Sequence, residues 1–400
     1  MAWLWRLSLM LLFLMVGACV ACPRLPPTAA DRIVCLGDSI TDGCTYPQIL
    51  IQALREAGKP VPTVICAGVA SDTAPQMAAR LENTVLVYRP TLVTFCAGAN
   101  DALRGVSPDH YERALREIAG KVKARGGTMI LLTPCIITPG KGGDAAAQRA
   151  ARDRADAAER LLAQYADAIR KVAKEEGYPV AENNALMQAA RRDGKELMAD
   201  DGIHPNYLGQ SLIARSILDA TGYQGVPLPA EFKPRLFPGV IREWKMRLAP
   251  LDGKKQPQRL TEQSVGQLQP DATWKTYTLP DPVPDARPSA GDWWEQERRN
   301  GFGLKVHETV GKRLVQAVAA IQADAPRKAF VNTGIGISTV WLNGKRLHDQ
   351  GAAWTGFHAG KERIPVELKR GRNVLVAELD APQFFLSVTE KLAWEEDLGR

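Results

Sequence analysis

Arg32-Ile33-Val34-Cys35-Leu36 runs directly into Gly37-Asp38-Ser39-Ile40-Thr41-Asp42-Gly43, and this passage decides how the first half of the chain folds. An apolar run of strand length that gives way to Gly and Asp reads as a strand. Helical spacing resumes from Tyr46 to Leu54. Ser39 is therefore expected at the carboxyl end of a strand, where open α/β sheets bind ligands.

The same alternation continues downstream. Val61 to Ala67, Thr91 to Ala97, Thr128 to Thr133 and Tyr178 to Ala181 read as further strands, with long helices over Pro108 to Ala124 and Ala145 to Glu175. From Asp31 to about Gly222 this is the pattern of βα units around a mostly parallel sheet. Thr138-Pro139-Gly140-Lys141-Gly142-Gly143 is a loop after the fourth strand. It is expected to overhang the active face and to shape substrate choice.

A serine hydroxyl attacks an ester only if a base takes its proton, and a third group must orient that base. Asp201-Gly202-Ile203-His204-Pro205-Asn206 supplies a carboxylate and an imidazole three residues apart, just before the apolar spacing Leu208, Leu212, Ile213, Ile217. Both can project from one turn at a helix start. His110 is the other histidine before residue 300 and lies in Ser107 to Ile118, an amphipathic helical stretch, which leaves His204 as the base. Two more strand-like runs, Thr63 to Gly68 and Leu92 to Gly98, release Ser71-Asp72-Thr73 and Asn100-Asp101. The Ser39 and Ser71 backbone N–H groups and the Asn100 amide are the expected donors to the oxyanion of a tetrahedral intermediate. Each motif alone has a plainer reading: Gly-Asp-Ser is ordinary turn chemistry and Asp-Gly-Ile-His-Pro a loop before a capped helix. Their order in one α/β pattern points to a serine esterase.

This ordered set resembles the SGNH (GDSL-like) hydrolases over about residues 31 to 222. The resemblance implies a three-layer α/β/α, flavodoxin-like parallel sheet, with Ser39 as nucleophile, Asn100 as asparagine donor, His204 as base and Asp201 as its aspartate. The chain departs from the family pattern where the oxyanion glycine should precede Asp72: it carries Ser71, and the usual asparagine five residues earlier is Cys66. A backbone donor survives that exchange unless the turn needs a positive φ, which serine adopts with difficulty.

Four hundred residues with a globular composition imply two domains. Arg6 followed by the apolar run Leu7 to Val16 reads as an export signal too short to span a bilayer. Val16-Gly17-Ala18-Cys19 resembles a bacterial lipobox, which implies a lipidated Cys19 and attachment to a membrane. Cys22, or ordinary cleavage near Ala21 or Ala30, are the alternatives. The expected location is the periplasm, the cell envelope as a lipoprotein, or the medium. Cys35, Cys44, Cys66, Cys96 and Cys135 fall in or beside apolar runs, which suits buried thiols; no zinc spacing is present, and disulfide pairing stays open. The net charge of +7 is dispersed, with no basic stripe bearing aromatics, so nucleic acid is not an expected partner.

Prolines are frequent from Val226 to Pro288, which reads as an ordered connector or extended linker. Beyond it come short β runs: Leu314 to Ile321, Lys328 to Asn332, Ser338 to Leu342, Arg363 to Leu368, Asn373 to Leu379 and Phe384 to Thr389. Asn343-Gly344 is a two-residue hairpin signal. The expected organisation is 1–30 signal and linker, 31–225 hydrolase domain, 226–288 connector and 289–400 a small all-β sandwich. Val340 to Lys345 and Leu368 to Val376 resemble the galactose-binding-like jelly rolls attached to glycan-active enzymes. Trp293, Trp294, Trp354 and Phe357 are candidates for a glycan surface, against the plainer reading of core packing.

The expected reaction is two-step acyl transfer on a small-molecule or polysaccharide ester, for which no cofactor and no metal is called. Acetyl esters of carbohydrates are the favoured substrates. A lysophospholipase or thioesterase on the same scaffold, and a non-catalytic glycan-binding envelope protein, are the alternatives. Oligomeric state is not legible.

Overall fold

The computed structural model describes residues 25–279, 281, 304–305, 314–334, 336–349, 362–380 and 383–391. Cys19, Trp293, Trp294, Trp354 and Phe357 lie outside them.

Five strands, β1 (Arg32–Gly37), β2 (Thr63–Gly68), β3 (Leu92–Cys96), β4 (Thr128–Leu132) and β5 (Val180–Ala181), form a parallel sheet in the order β2-β1-β3-β4-β5. Helices α1 (Ser39–Asp42), α2 (Thr45–Glu56), α3 (Ala74–Thr84), α4 (Ala99–Leu103), α5 (Pro108–Ala124), α6 (Ala145–Glu176), α7 (Asn183–Arg192) and α8 (Tyr207–Ala220) connect and follow the strands. α2, α7 and α8 pack together, as do α3, α5 and α6, giving the expected three layers. The strands are buried on both faces, which is why they read as unbroken apolar runs. The helices instead bury one stripe. In α5 the buried residues are Tyr111, Ala114, Leu115, Ile118, Ala119 and Val122, while Ser107 caps the first turn by accepting from the His110 N–H. Strand order reverses between β1 and β3, so the crevice at their carboxyl ends is the topological switch point.

The second region is antiparallel. β6 (Glu243–Leu248), β7 (Lys275–Thr278), β9 (Val315–Ala323), β11 (Ile337–Leu342), β12 (Lys345–Asp349) and β14 (Gly371–Leu379) make one sheet, and β10 (Arg327–Thr333), β13 (Glu362–Leu368) and β16 (Leu386–Thr389) a second; β8 (Leu304–Lys305) pairs with β15 (Gln383–Phe384). The two larger sheets share one core, with Trp244, Ala317, Val340 and Leu375 from the first meeting Val331 and Leu386 from the second. Asn343 and Gly344 both have positive φ, 51° and 85°, as a two-residue hairpin requires.

The proline-rich stretch does more than connect. β6 and β7 extend the six-stranded sheet past β9, and Val265 and Trp274 cover its outer face against Val318, Trp341 and Val376. The sheet is thus buried on both sides, and prolines before and after each added strand had masked its short β periodicity. The earlier part of the stretch is laced to α2: Gln48 Oε1 accepts from the Arg235 N–H at 2.8 Å, and Gln52 Oε1 from the Lys233 N–H at 2.9 Å. From β13, Arg363 donates to the Tyr88 hydroxyl at 2.9 Å and to the Asn83 carbonyl. Tyr88 precedes β3, so this contact lies at the end of the sheet opposite Ser39.

Candidate active site

Ser39 opens the single turn α1 immediately after β1. Asp38 caps that turn, its Oδ1 accepting from the Ile40 N–H at 2.9 Å. The strand can fold back so tightly only because residue 37 is glycine: a Cβ there would stand 2.0 Å from Thr41 Oγ1 and 2.9 Å from the Cys96 carbonyl oxygen. The result is a partly exposed hydroxyl on a rigid, otherwise buried turn.

The candidate base arrives from 165 residues away in sequence. His204 Nε2 lies 2.8 Å from Ser39 Oγ, and His204 Nδ1 lies 2.6 Å from Asp201 Oδ2. Burial alone would raise the Asp201 carboxyl. The hydrogen bond and charge of His204, with the backbone N–H groups of His204 and Ile203, outweigh it and hold the group below the ordinary carboxylate range. An ionised carboxylate only accepts, so the proton of the neutral ring belongs on Nδ1 and the Nε2 lone pair faces the Ser39 hydroxyl.

Asp201 and His204 sit in a loop before α8 rather than in its first turn, because Asn206 takes the cap and accepts from the Gly209 N–H at 3.0 Å. The loop is closed at its base by the Ala199 N–H donating to the His204 carbonyl at 2.7 Å and the Asn206 N–H to the Leu197 carbonyl at 2.8 Å. It also docks on the loop after β4: the Thr138 N–H donates to the Gly202 carbonyl at 2.8 Å, and the Lys141 N–H to the Asp200 carbonyl at 2.7 Å. The segment Thr138 to Gly143 therefore lies directly beside the histidine turn.

Asn100, in the first turn of α4, donates through Nδ2 to the Asp72 carbonyl at 3.1 Å and to Asp38 Oδ2 at 3.3 Å. Its amide joins the loop after β1 to the loop after β2, so Ser39, Ser71 and Asn100 share one rim. Ser71 has φ +71°, the left-handed region. The condition under which serine replaces glycine with difficulty is met here, and the conformation is strained by about 1–2 kcal/mol. The N–H groups of Ser39 and Ser71 have no hydrogen-bond acceptor among the described residues.

Several members of this neighbourhood carried no catalytic signal in the sequence. Buried Asp38 holds Asn100, and burial pushes its carboxyl up to about 6 against the opposing effects of the Ile40 N–H and His204. Asp101, fully buried, accepts from the Ala74 N–H at 2.9 Å through Oδ1, while its Oδ2 has no hydrogen-bond partner among the described residues; burial pushes it to about 7. Arg80 pairs with Asp72, eight residues earlier, at 2.5 Å. Neither the Asp38 cap nor the Arg80 contact, made across two helical turns, was read from the sequence. His110 is exposed on α5. Cys35, Cys44, Cys66, Cys96 and Cys135 are all buried and unpaired as disulfides, with Cys66 donating to the Thr41 carbonyl beneath the nucleophile turn.

Comparison with known proteins finds a family model that matches this region of the chain. Residues 35–212 match the model of the GDSL-like Lipase/Acylhydrolase family. The chain is 29% identical over 192 residues to thioesterase 1/protease 1/lysophospholipase L1 of Escherichia coli K12, covering 46% of this chain and 81% of that protein. It is 23% identical over 225 residues to an acetylxylan esterase of Geobacillus stearothermophilus, covering 50% of this chain and 97% of that one. Among solved structures it is similar to an α/β hydrolase from the metagenome of Lake Arreo, Spain, with 28% identity, a TM-score of 0.41 and coverage of 50% of this chain and 98% of that one. We accordingly assign residues 35–212 to the GDSL/SGNH acylhydrolases, a family of carboxylic ester hydrolases.

Proposed function

We propose that the protein is an exported esterase that removes short acyl groups, acetyl above all, from carbohydrates, with Ser39 as nucleophile, His204 as general base and acid, and Asp201 as the group that orients it. The unbroken relay from Ser39 Oγ through His204 to Asp201, at 2.8 and 2.6 Å, carries this reading. Ser39 attacks the ester carbonyl while Nε2 takes its proton; the imidazolium then protonates the leaving alcohol, and water repeats the sequence on the acyl-enzyme. The oxyanion is met by the N–H groups of Ser39 and Ser71 and by Asn100. The 3.3 Å contact to Asp38 is the weaker of the two that Asn100 makes, so that N–H can pass to the oxyanion while the Asp72 carbonyl keeps the amide in place. Similarity to the acetylxylan esterase supports an acetylated polysaccharide as substrate. Similarity to the Escherichia coli enzyme supports the second reading, a lysophospholipase or thioesterase, because the acid-base machinery is the same and only the acyl pocket differs.

Lipidation at Cys19 and a carbohydrate-contacting role for the β region extend this proposal. The two-sheet core of that region and the hairpin at Asn343-Gly344 are in keeping with a jelly-roll module. The decisive experiment compares the purified protein with Ser39→Ala on p-nitrophenyl acetate and butyrate, then measures acetate released from acetylated xylan against fatty acid released from lysophospholipid. Equal rates for the two proteins sink the esterase mechanism. Turnover of the lipid alone transfers the assignment to the second reading.

A further inference from the structure

We propose that Arg80 is a positioning residue that sets the spacing of the oxyanion donors by tying the Ser39 loop to the Ser71 loop. This inference rests on the esterase reading above and concerns a residue outside the reacting groups.

Side chains on a helix lean toward its N-terminus, and arginine is long enough to reach back along two turns. Arg80 on α3 does so, and all three of its guanidinium nitrogens are engaged. Nε donates to Asp72 Oδ2 at 2.5 Å, Nη2 to the Gly37 carbonyl at 2.9 Å and Nη1 to Thr84 Oγ1 at 2.9 Å. Gly37 stands two residues before the nucleophile. Asp72 follows Ser71 directly, and its carbonyl holds the Asn100 amide at 3.1 Å. One planar cation thus fixes the relative position of the two loops that carry backbone donors, and through Asp72 it also fixes the side-chain donor.

The pair is not a solvated surface contact. The side chains of Arg80 and Asp72 are 15% and 11% exposed, so the attraction is little screened, and the fork geometry directs each bond. Arg80 also sits among carboxylates: Asp72, Asp42 and Asp38 all act on its charge, and both Asp38 and Asp42 are buried. Removing the guanidinium would leave these groups facing one another beside the turn that carries Ser39. Lysine cannot replace it, because a single ammonium lacks the planar fork that meets Asp72 and Gly37 together.

The test uses Arg80→Lys and Arg80→Ala in the full chain, with competent sites counted by titration with diethyl p-nitrophenyl phosphate. For Arg80→Lys we expect kcat per titrated site on p-nitrophenyl acetate to fall about 10- to 100-fold with KM within about threefold, since displacement of donors by a fraction of an ångström acts on the transition state. Added methylguanidinium should raise the kcat of Arg80→Ala. Thr84→Val, which among the guanidinium contacts breaks only the third and also removes the Thr84 hydroxyl's own bond to the Arg80 carbonyl, should keep kcat and lower thermal stability alone. If the Arg80 variants do not fold, Asp72→Asn, which retains the carbonyl but weakens the anchor, must show the same fall in kcat per site. Wild-type kcat per site in the variants that fold, or a change confined to KM or to the unfolding temperature, overturns the proposal. Failure of Ser39→Ala to lower activity would instead overturn the esterase reading.

Discussion

Asp201 holds His204 twice: Oδ2 lies 2.6 Å from the ring Nδ1, and Oδ1 accepts the backbone N–H of the same residue at 3.0 Å, with the Ile203 N–H a further 2.8 Å donor. One carboxylate therefore orients both the imidazole and the chain that carries it. Asp201→Asn should lower kcat by about 10⁴-fold, as expected where the orienting carboxylate of a triad is replaced by an amide. Asp201→Ala should in addition loosen the loop, detectable as faster amide exchange at residues 201 to 204.

Asn100 contributes a side-chain donor held by two loops. Asn100→Ala should reduce kcat by about 10²–10³-fold with little change in KM, because the donor acts on charge that develops only in the transition state. Steady-state kinetics on p-nitrophenyl acetate separates these parameters. A loss seen only in KM would remove Asn100 from the oxyanion site.

Ser71 is held at φ +71°. Ser71→Gly should relieve this strain and raise stability by up to about 1 kcal/mol, the gain being reduced by the greater freedom of glycine in the unfolded chain. The proposed donor is the backbone N–H, so kcat should stay within about threefold. Denaturant unfolding and kinetics on the same preparation test both halves.

Gly202 has φ +73°, and a Cβ there would lie 2.0 Å from the Thr138 carbonyl oxygen. Gly202→Ala should therefore push the histidine loop off the loop after β4, lowering stability by about 1–3 kcal/mol and displacing His204 from Ser39. Thermal unfolding and the rate of organophosphate labelling of Ser39 should fall together.

Asp38 and Asp101 are raised to about 6 and about 7 by burial. A carboxyl whose folded pKa exceeds its unfolded value favours the folded state below the unfolded value, near 3.8, and that contribution is lost as pH rises through the folded value. Asp201 has the opposite sign: its contribution is present above the ordinary carboxylate range and is lost as pH falls. The unfolding temperature should thus decline between about pH 4 and pH 7 through the first pair. Asp101→Asn, which keeps the acceptor for the Ala74 N–H, should flatten part of that decline; an unchanged slope would mean that Asp101 is not the titrating group.

What could be read along the chain was whatever depends on local spacing. The buried runs of β1 to β4, the amphipathic stripe of α5, the turn at Asn343-Gly344 and the order Ser39, Asn100, Asp201, His204 follow from periodicity, turn chemistry and motif, and they were enough to imply the sheet and the rim proposed as catalytic. Contacts between distant residues were not written in that way. Whether a 165-residue separation closes to 2.8 Å between His204 and Ser39 depends on how α8 packs on α2 and on the docking of Gly202 against Thr138. The left-handed turn at Ser71, the entry of residues 243–248 and 275–278 into the second sheet and the reach of Arg80 to Gly37 and Asp72 were likewise decided by packing. Propensity acts over a few residues, whereas these relationships arise only when buried polar groups must find partners within a closed tertiary structure.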